Sequence, residues 1–185
     1  RNAADVEGLG FPVVVKPNAG GSSVGTRIVR DSAALASAVE EALRWDRSVM
    51  IEQLIEGEEI TCPVLNGEML PIVSIKPKSE FFDYTSKYED GEADEQVIEL
   101  PSELQQRVRA AALQCYKALK CRVYARIDII LKDDTPYILE VNTLPGLTKN
   151  SLLPRSAEAA GYSFSELLDA IIETSLSERK SEGKE

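Results

Sequence analysis

Apolar residues follow two different periods along this chain, and each switch between them predicts an element. Phe11–Pro17 (FPVVVKP) is a short β-branched run and Thr26–Val29 is another, and the Gly/Ser-rich loop joining them predicts a hairpin. Helical spacing takes over at Leu35, Ala38, Val39, Ala42 and Leu43, with Asp31 or Ser32 as the cap. Ser48–Gln53 (SVMIEQ) is apolar and bounded, and predicts a buried strand. Ile60–Leu65 and Met69–Ile75 flank Asn66-Gly67, a dipeptide that supplies the positive φ angles of a type I′ turn. Residues 78–97 are polar and aromatic with little periodicity, so they predict a functional lid or a disordered loop. Pro101 and Ser102 open a long helix, with Gln105 completing a capping box. Ala125–Lys132 and Pro136–Asn142 read as strands around a turn at Asp133-Asp134-Thr135. Two helices follow, near Leu153–Ala160 and Ser163–Leu176, separated by Gly161, and residues 177–185 (SERKSEGKE) read as a frayed, solvated tail. Hairpins mixed with helices, without regular β-α-β alternation, predict an α+β fold.

The hairpin at 125–142 carries the first chemical signal. If its turn centres on Asp134, Asp128 opposes Glu140 and Arg126 opposes Asn142, with all four side chains on one face. The other face then holds Ala125, Ile127 and Ile129 against Leu139, Val141 and Thr143, which is core. Two acids and an amide side by side are costly without a cation. Carboxylate and amide oxygens suit Mg²⁺, usually together with substrate phosphates. The plainer alternative is a solvated face with an Arg–Asp pair. The inference depends on register, because a turn centred half a residue earlier sends Glu140 to the wrong side.

The loop VKPNAGGSSVG (Val15–Gly25) carries the second. Glycines let successive N–H groups converge on an anion, Lys16 adds a charge, and Ser22 and Ser23 add hydroxyl donors. The order is not that of a P-loop, since the lysine precedes the glycines and a strand follows. A plain glycine-rich hairpin turn accounts for it equally well. With the hairpin face, however, it suggests Mg²⁺-ATP, with Glu52 offered to adenine and Glu59 to ribose. Surface charge is the alternative reading of those two glutamates.

Composition narrows the chemistry. Among 185 residues there is no histidine, which excludes a Ser-His-Asp triad and a Cys-His pair. The net charge of −10 argues against nucleic acid. The odd set Cys62, Cys115 and Cys121 reads as small core residues in a reducing cytoplasm. No apolar run approaches the roughly 18 residues that cross a bilayer, so no membrane partner is expected.

Three segments, VVVKPNAGGSSVG, ARIDIIL and LEVNTLPGLTKNSLLP, resemble the ATP-grasp ligases, and within them the D-alanine–D-alanine ligases of bacterial cell-wall synthesis. FFDYTSKY (Phe81–Tyr88) is similar to that family's mobile loop. The resemblance implies two lobes of antiparallel sheet with flanking helices and the nucleotide held between them. The small lobe is placed at 1–57 and the large lobe at 58–176, the latter with the lid at 78–97 and the metal hairpin at 125–142. It implies that Lys16, Ser22 and Ser23 hold ATP phosphates, aided by Lys87. Glu52, the backbone at Gln53 and Ile55, and Glu59 would hold adenine and ribose. Asp128, Glu140 and Asn142 would hold two Mg²⁺ ions, with Mn²⁺ as a substitute. Arg126 and the Gly146 backbone would stabilise a developing oxyanion. Lys87, Ser151 and Leu152 would engage the carboxylate of the second D-alanine, and Tyr88 would close the lid near Ser22.

The implied reaction is ATP-dependent joining of two D-alanines through an acyl phosphate, in the cytoplasm, by a full-length homodimer. Asn150 stands where family members often carry histidine, which leaves D-lactate- or D-serine-type ligation open. The chain begins at Arg1. It is read as the ATP-grasp part without the N-terminal substrate domain, weakly active or inactive alone. A nucleotide-binding module that depends on a partner domain is the remaining alternative.

Overall fold

The computed structural model describes residues 8–19, 21, 23–77 and 93–182. The described residues form two compact units. The first holds the chain up to Ile55 together with Pro77 and Ala93, and the second holds Glu56–Lys76 and the chain from Asp94 onward.

The first unit is built on an antiparallel sheet of β1 (Val13–Pro17), β2 (Arg27–Val29) and β3 (Val49–Gln53), in the order β2-β1-β3. Alternation along β1 sends Val13 and Val15 into a core with Val29 and with Ala38 and Ala42 of α1 (Leu35–Ala42), while Lys16 takes the opposite face. Asp31 caps the entry to this helix. Its Oδ1 accepts the N–H groups of Ala33 and Ala34, at 3.0 and 3.1 Å, and a single 3₁₀ turn at Ser32–Ala34 precedes α1. The expected buried strand at Ser48–Gln53 is instead an edge strand with no fully buried residue. It has one neighbour, and only one of its faces meets the helix.

The second unit is a six-stranded antiparallel sheet. Its strands are β4 (Glu58–Leu65), β5 (Glu68–Met69), β6 (Ile72–Pro77), β7 (Ala93–Ile98), β8 (Tyr124–Lys132) and β9 (Thr135–Asn142). The order is β7-β6-β4-β8-β9, with β5 on the end of β4. Asn66 and Gly67 turn β4 into β5 with φ values of 51° and 77°, as the dipeptide predicts. One face of the sheet sends Ile60, Cys62 and Val64 of β4 and Ala125, Ile127 and Ile129 of β8 against α2 (Ser102–Ala118). Leu104, Val108, Ala112 and Tyr116 recur every fourth residue on the helix stripe that covers them. A second core joins Leu65 and Leu70 to α3 (Leu152–Ala159) and α4 (Phe164–Glu182) through Leu153, Ala157 and Leu167.

Three expectations change. Residues 78–92 lie outside the described residues, but Ala93–Ile98, within the expected loop, is an edge strand. The Arg155 guanidinium ties it down by donating to the Glu95 carbonyl at 3.1 Å and pairing with the Glu95 carboxylate at 3.2 Å. Gln105 does not complete a box with Ser102; its Oε1 accepts the Leu100 N–H at 3.3 Å. The reciprocal box sits at Ser163 and Glu166 instead, with bonds of 2.8 and 3.2 Å. It starts α4, which runs on to Glu182, so most of the expected tail is helical.

Candidate functional site

The hairpin register is decided by two irregularities that cancel. Asp133 and Asp134 form a two-residue turn with φ values of 47° and 59°. Lys132 therefore opposes Thr135, and Ile129 opposes Ile138. This turn is centred half a residue before Asp134, and left alone it would send Glu140 to the core face. The register shifts between Ile129 and Asp128, where Leu139 is the extra residue of a β-bulge. Beyond the bulge Asp128 opposes Glu140 and Arg126 opposes Asn142. The expected pairing is present, but the expected turn and the pairing of Ile129 with Leu139 are not.

β4 lies on the other side of β8. Thr61 opposes Asp128, and Glu59 shares Thr61's face. Asp128 is 7% exposed and accepts four bonds. Arg126 donates from Nε to Oδ1 at 3.0 Å and from Nη2 to Oδ2 at 2.8 Å. The fully buried Thr61 hydroxyl donates to Oδ1 at 2.6 Å, and Asn142 Nδ2 donates to Oδ2 at 2.9 Å. These charge-assisted donors satisfy a carboxylate this deep. Glu140 is exposed and accepts from the same Asn142 nitrogen at 3.3 Å. The amide N–H group thus stands between two carboxylates, where positive charge is wanted.

This donor set fits a hard divalent cation. A half-turn of the Asn142 amide presents its oxygen beside the two carboxylates, and Mg²⁺ takes few protein ligands while keeping waters and substrate oxygens. Among the described residues no three acidic, histidine or cysteine side chains cluster as a metal site. The face offers two carboxylates and one amide.

In the first unit, Lys16 and Glu52 project from β1 and β3 on one face and meet at 2.6 Å. Gln53 ends β3 opposite Val13, and Ile55 follows it. In the loop after β1, Ser23 has φ 57° and its carbonyl accepts the Thr26 N–H at 3.1 Å. Ser22, Lys87 and Tyr88 lie outside the described residues. In the second unit, Gly146 and Ser151 are neighbours. A Cβ on Gly146 would stand 2.8 Å from Ser151 Oγ, so a side chain there would make that hydroxyl move. That hydroxyl also accepts the Thr148 N–H at 3.1 Å and lies 2.8 Å from Thr148 Oγ1. Ser151 is the N-cap of α3, and Leu152 is its first residue.

The family model for the D-ala D-ala ligase C-terminus matches residues 2–173. The chain belongs to the D-alanine–D-alanine ligase family. It is 59% identical over 182 residues to a D-alanine–D-alanine ligase of Bacillus anthracis, with 98% of this chain and 60% of that protein covered. A crystal structure of the Bacillus anthracis D-alanine–D-alanine ligase complexed with ATP superposes with a TM-score of 0.85 at 55% identity, over 98% of this chain and 59% of that one. A D-Ala:D-Ser ligase from Enterococcus faecalis gives 0.80 at 33% identity, over 92% and 52%. The chain thus spans about 60% of the length of the curated relatives it matches. The two antiparallel sheets with flanking helices are the ATP-grasp α+β fold of these ligases.

Sequence reasoning did not single out Thr61, Trp45 or Asp46. Thr61 looked like an ordinary strand threonine, and only the β4–β8 register places it under Asp128. Trp45 and Asp46 sit in a polar stretch with no periodicity to single them out. Of the three cysteines read as core residues, Cys62 is fully buried, and desolvation with the nearby Asp128 pushes its thiol up to about 12, whereas Cys115 and Cys121 are half-buried. Among the described residues no helix is long and apolar enough to cross a membrane.

Proposed function

We propose that this chain is the ATP-grasp part of a ligase that joins two D-alanines at the expense of ATP. The observation that carries the reading is the Asp128–Glu140–Asn142 face, in a chain whose relatives are D-alanine–D-alanine ligases, one of them solved with ATP. Lys16, Ser22, Ser23 and Lys87 bind the phosphates. Glu52, Gln53, Ile55 and Glu59 bind adenine and ribose. Asp128, Glu140 and Asn142 hold Mg²⁺, which when bound neutralises phosphate charge.

One D-alanine carboxylate attacks the γ-phosphate, giving an acyl phosphate and ADP. The amine of the second D-alanine then attacks that carbonyl, phosphate leaves, and the amine proton is lost. The protein's work is orientation, charge and exclusion of water. Arg126 and the Gly146 N–H stabilise charge on the carbonyl oxygen. Ser151, Leu152 and Lys87 orient the second carboxylate, and Tyr88 closes the lid. The higher identity to the D-alanine enzymes than to the D-Ala:D-Ser ligase favours D-alanine as the second substrate. The reaction belongs in the cytoplasm, in a homodimer whose remaining residues hold the first D-alanine.

Phosphate release from Mg²⁺-ATP, with and without D-alanine, tests this when nucleotide binding is followed in the same samples. Binding with D-alanine-dependent release is expected of a self-sufficient ligase. Binding without release is expected if the first-substrate site lies outside these residues. No nucleotide binding overturns the reading.

A further inference from the structure

Trp45 and Asp46 follow α1 and belong to none of the groups assigned above, yet each holds one limb of the loop after β1. On the incoming limb, the Ala19 N–H donates to Asp46 Oδ2 at 2.6 Å, and the Asn18 N–H donates to the Ser48 carbonyl at 3.0 Å. The other oxygen, Oδ1, accepts the Arg47 N–H at 2.5 Å, which fixes the carboxylate to its own turn. On the outgoing limb, Gly25 has φ 72°, and a Cβ there would stand 2.6 Å from Trp45 Cδ1 and 3.1 Å from Pro17 Cγ. The indole edge fills the space that a side chain would need.

A carboxylate bonded to a loop read as a phosphate cradle needs explaining, because its charge opposes the ligand's. Both oxygens of Asp46 are engaged by backbone N–H groups, so the carboxylate fixes the shape of the loop. Those donors, the Ala19 N–H first, hold the Asp46 carboxyl below the usual carboxylate range. Resting on the nucleotide reading above, we infer that Trp45 and Asp46 are positioning residues that brace the two limbs of the loop for the phosphates of ATP.

The test is titration of the whole chain with ATP and with AMP, for the wild type, Asp46→Asn, Asp46→Ala and Trp45→Ala. Arg27→Ala serves as the control; it loses only the exposed pair with Glu41. Asp46→Ala and Trp45→Ala are expected to weaken ATP roughly tenfold, the scale of one lost charge-assisted bond, and to leave AMP binding unchanged. Asp46→Asn, which keeps one acceptor oxygen, recovers part of the loss. Trp45 is the chain's single tryptophan, so its emission should shift on adding ATP to the wild type. Tighter ATP binding in Asp46→Ala would mean that the carboxylate competes with phosphate, and would overturn the brace. Unaltered ATP binding, or equal losses for ATP and AMP, would overturn it too. A wild type that binds no ATP sinks the nucleotide reading, and the brace with it; a wild type that binds beside unaltered variants sinks the brace alone.

Discussion

Asp128 opposes Glu140 across the β8–β9 ladder because Leu139 bulges out of it. The two carboxylates share one amide N–H group but live in different surroundings. Asp128 is nearly buried under four donor contacts, whereas Glu140 is exposed. Their substitution should therefore separate folding from cation binding.

Glu140→Gln is expected to melt with the wild type and to lose the Mg²⁺-dependent part of ATP affinity. Asp128→Asn is expected to lose both. It removes the charge from the buried carboxylate that accepts from Arg126 and Thr61, at a cost of about 1–3 kcal/mol. Thermal melts and ATP titrations with and without Mg²⁺ read the two effects. Equal melting losses in both variants would contradict the assignment.

Thr61 contributes through its hydroxyl proton. Thr61→Val keeps the volume but withdraws a buried donor, and should cost about 1–2 kcal/mol in urea unfolding. Thr61→Ser keeps the donor and should recover most of its effect on the Asp128–Glu140 face proposed to hold the metal. The discriminating measurement is Mn²⁺ affinity by paramagnetic relaxation, expected to fall in the valine variant and to hold in the serine variant.

Gly25 is fixed by its backbone and by Trp45 together. Gly25→Ala asks an L residue to hold φ 72° and drives a methyl into the indole edge. A loss of about 1–3 kcal/mol is expected, with altered Trp45 emission. Gly10 has a similar φ of 70° and open space around it, so Gly10→Ala should cost less. If the two variants were equally unstable, crowding by Trp45 would not matter.

Cys62 gives a pH dependence with a defined sign. Its folded-state pKa is raised from 9.0 to about 12, because burial and then Asp128 disfavour the thiolate. The proton it retains contributes stability that is fully present below pH 9 and lost as the pH climbs toward 12. Cys62→Ala should flatten that part of the alkaline unfolding curve. In the native chain a thiol reagent at pH 8 should spare Cys62 while reaching the half-buried Cys115 and Cys121; rapid native labelling of Cys62 would contradict its burial.

Elements whose signal is local were legible in the residues alone. The β-branched run at Phe11–Pro17, the strand pattern at Ala125–Lys132, the Pro101-Ser102 helix start and Asn66-Gly67 with its tolerance of positive φ each name a structure within a few residues. The sequence also brought Arg126, Asp128, Glu140 and Asn142 together, but from a turn centred on Asp134; with the actual turn at Asp133-Asp134, the pairing holds only because the Leu139 bulge offsets it. Tertiary structure decided what depends on distant strands and on packing. That β3 is an edge follows from which strands pair. That Thr61 lies under Asp128 follows from the β4–β8 register, with the two residues 67 positions apart in the chain. The Leu139 bulge has no local sequence mark, because a bulged leucine and a paired one differ only in what the opposite strand offers. Trp45 and Asp46 meet the glycine loop for the same reason. Contacts across many residues reflect the summed packing of both partners, and no short window of sequence contains both.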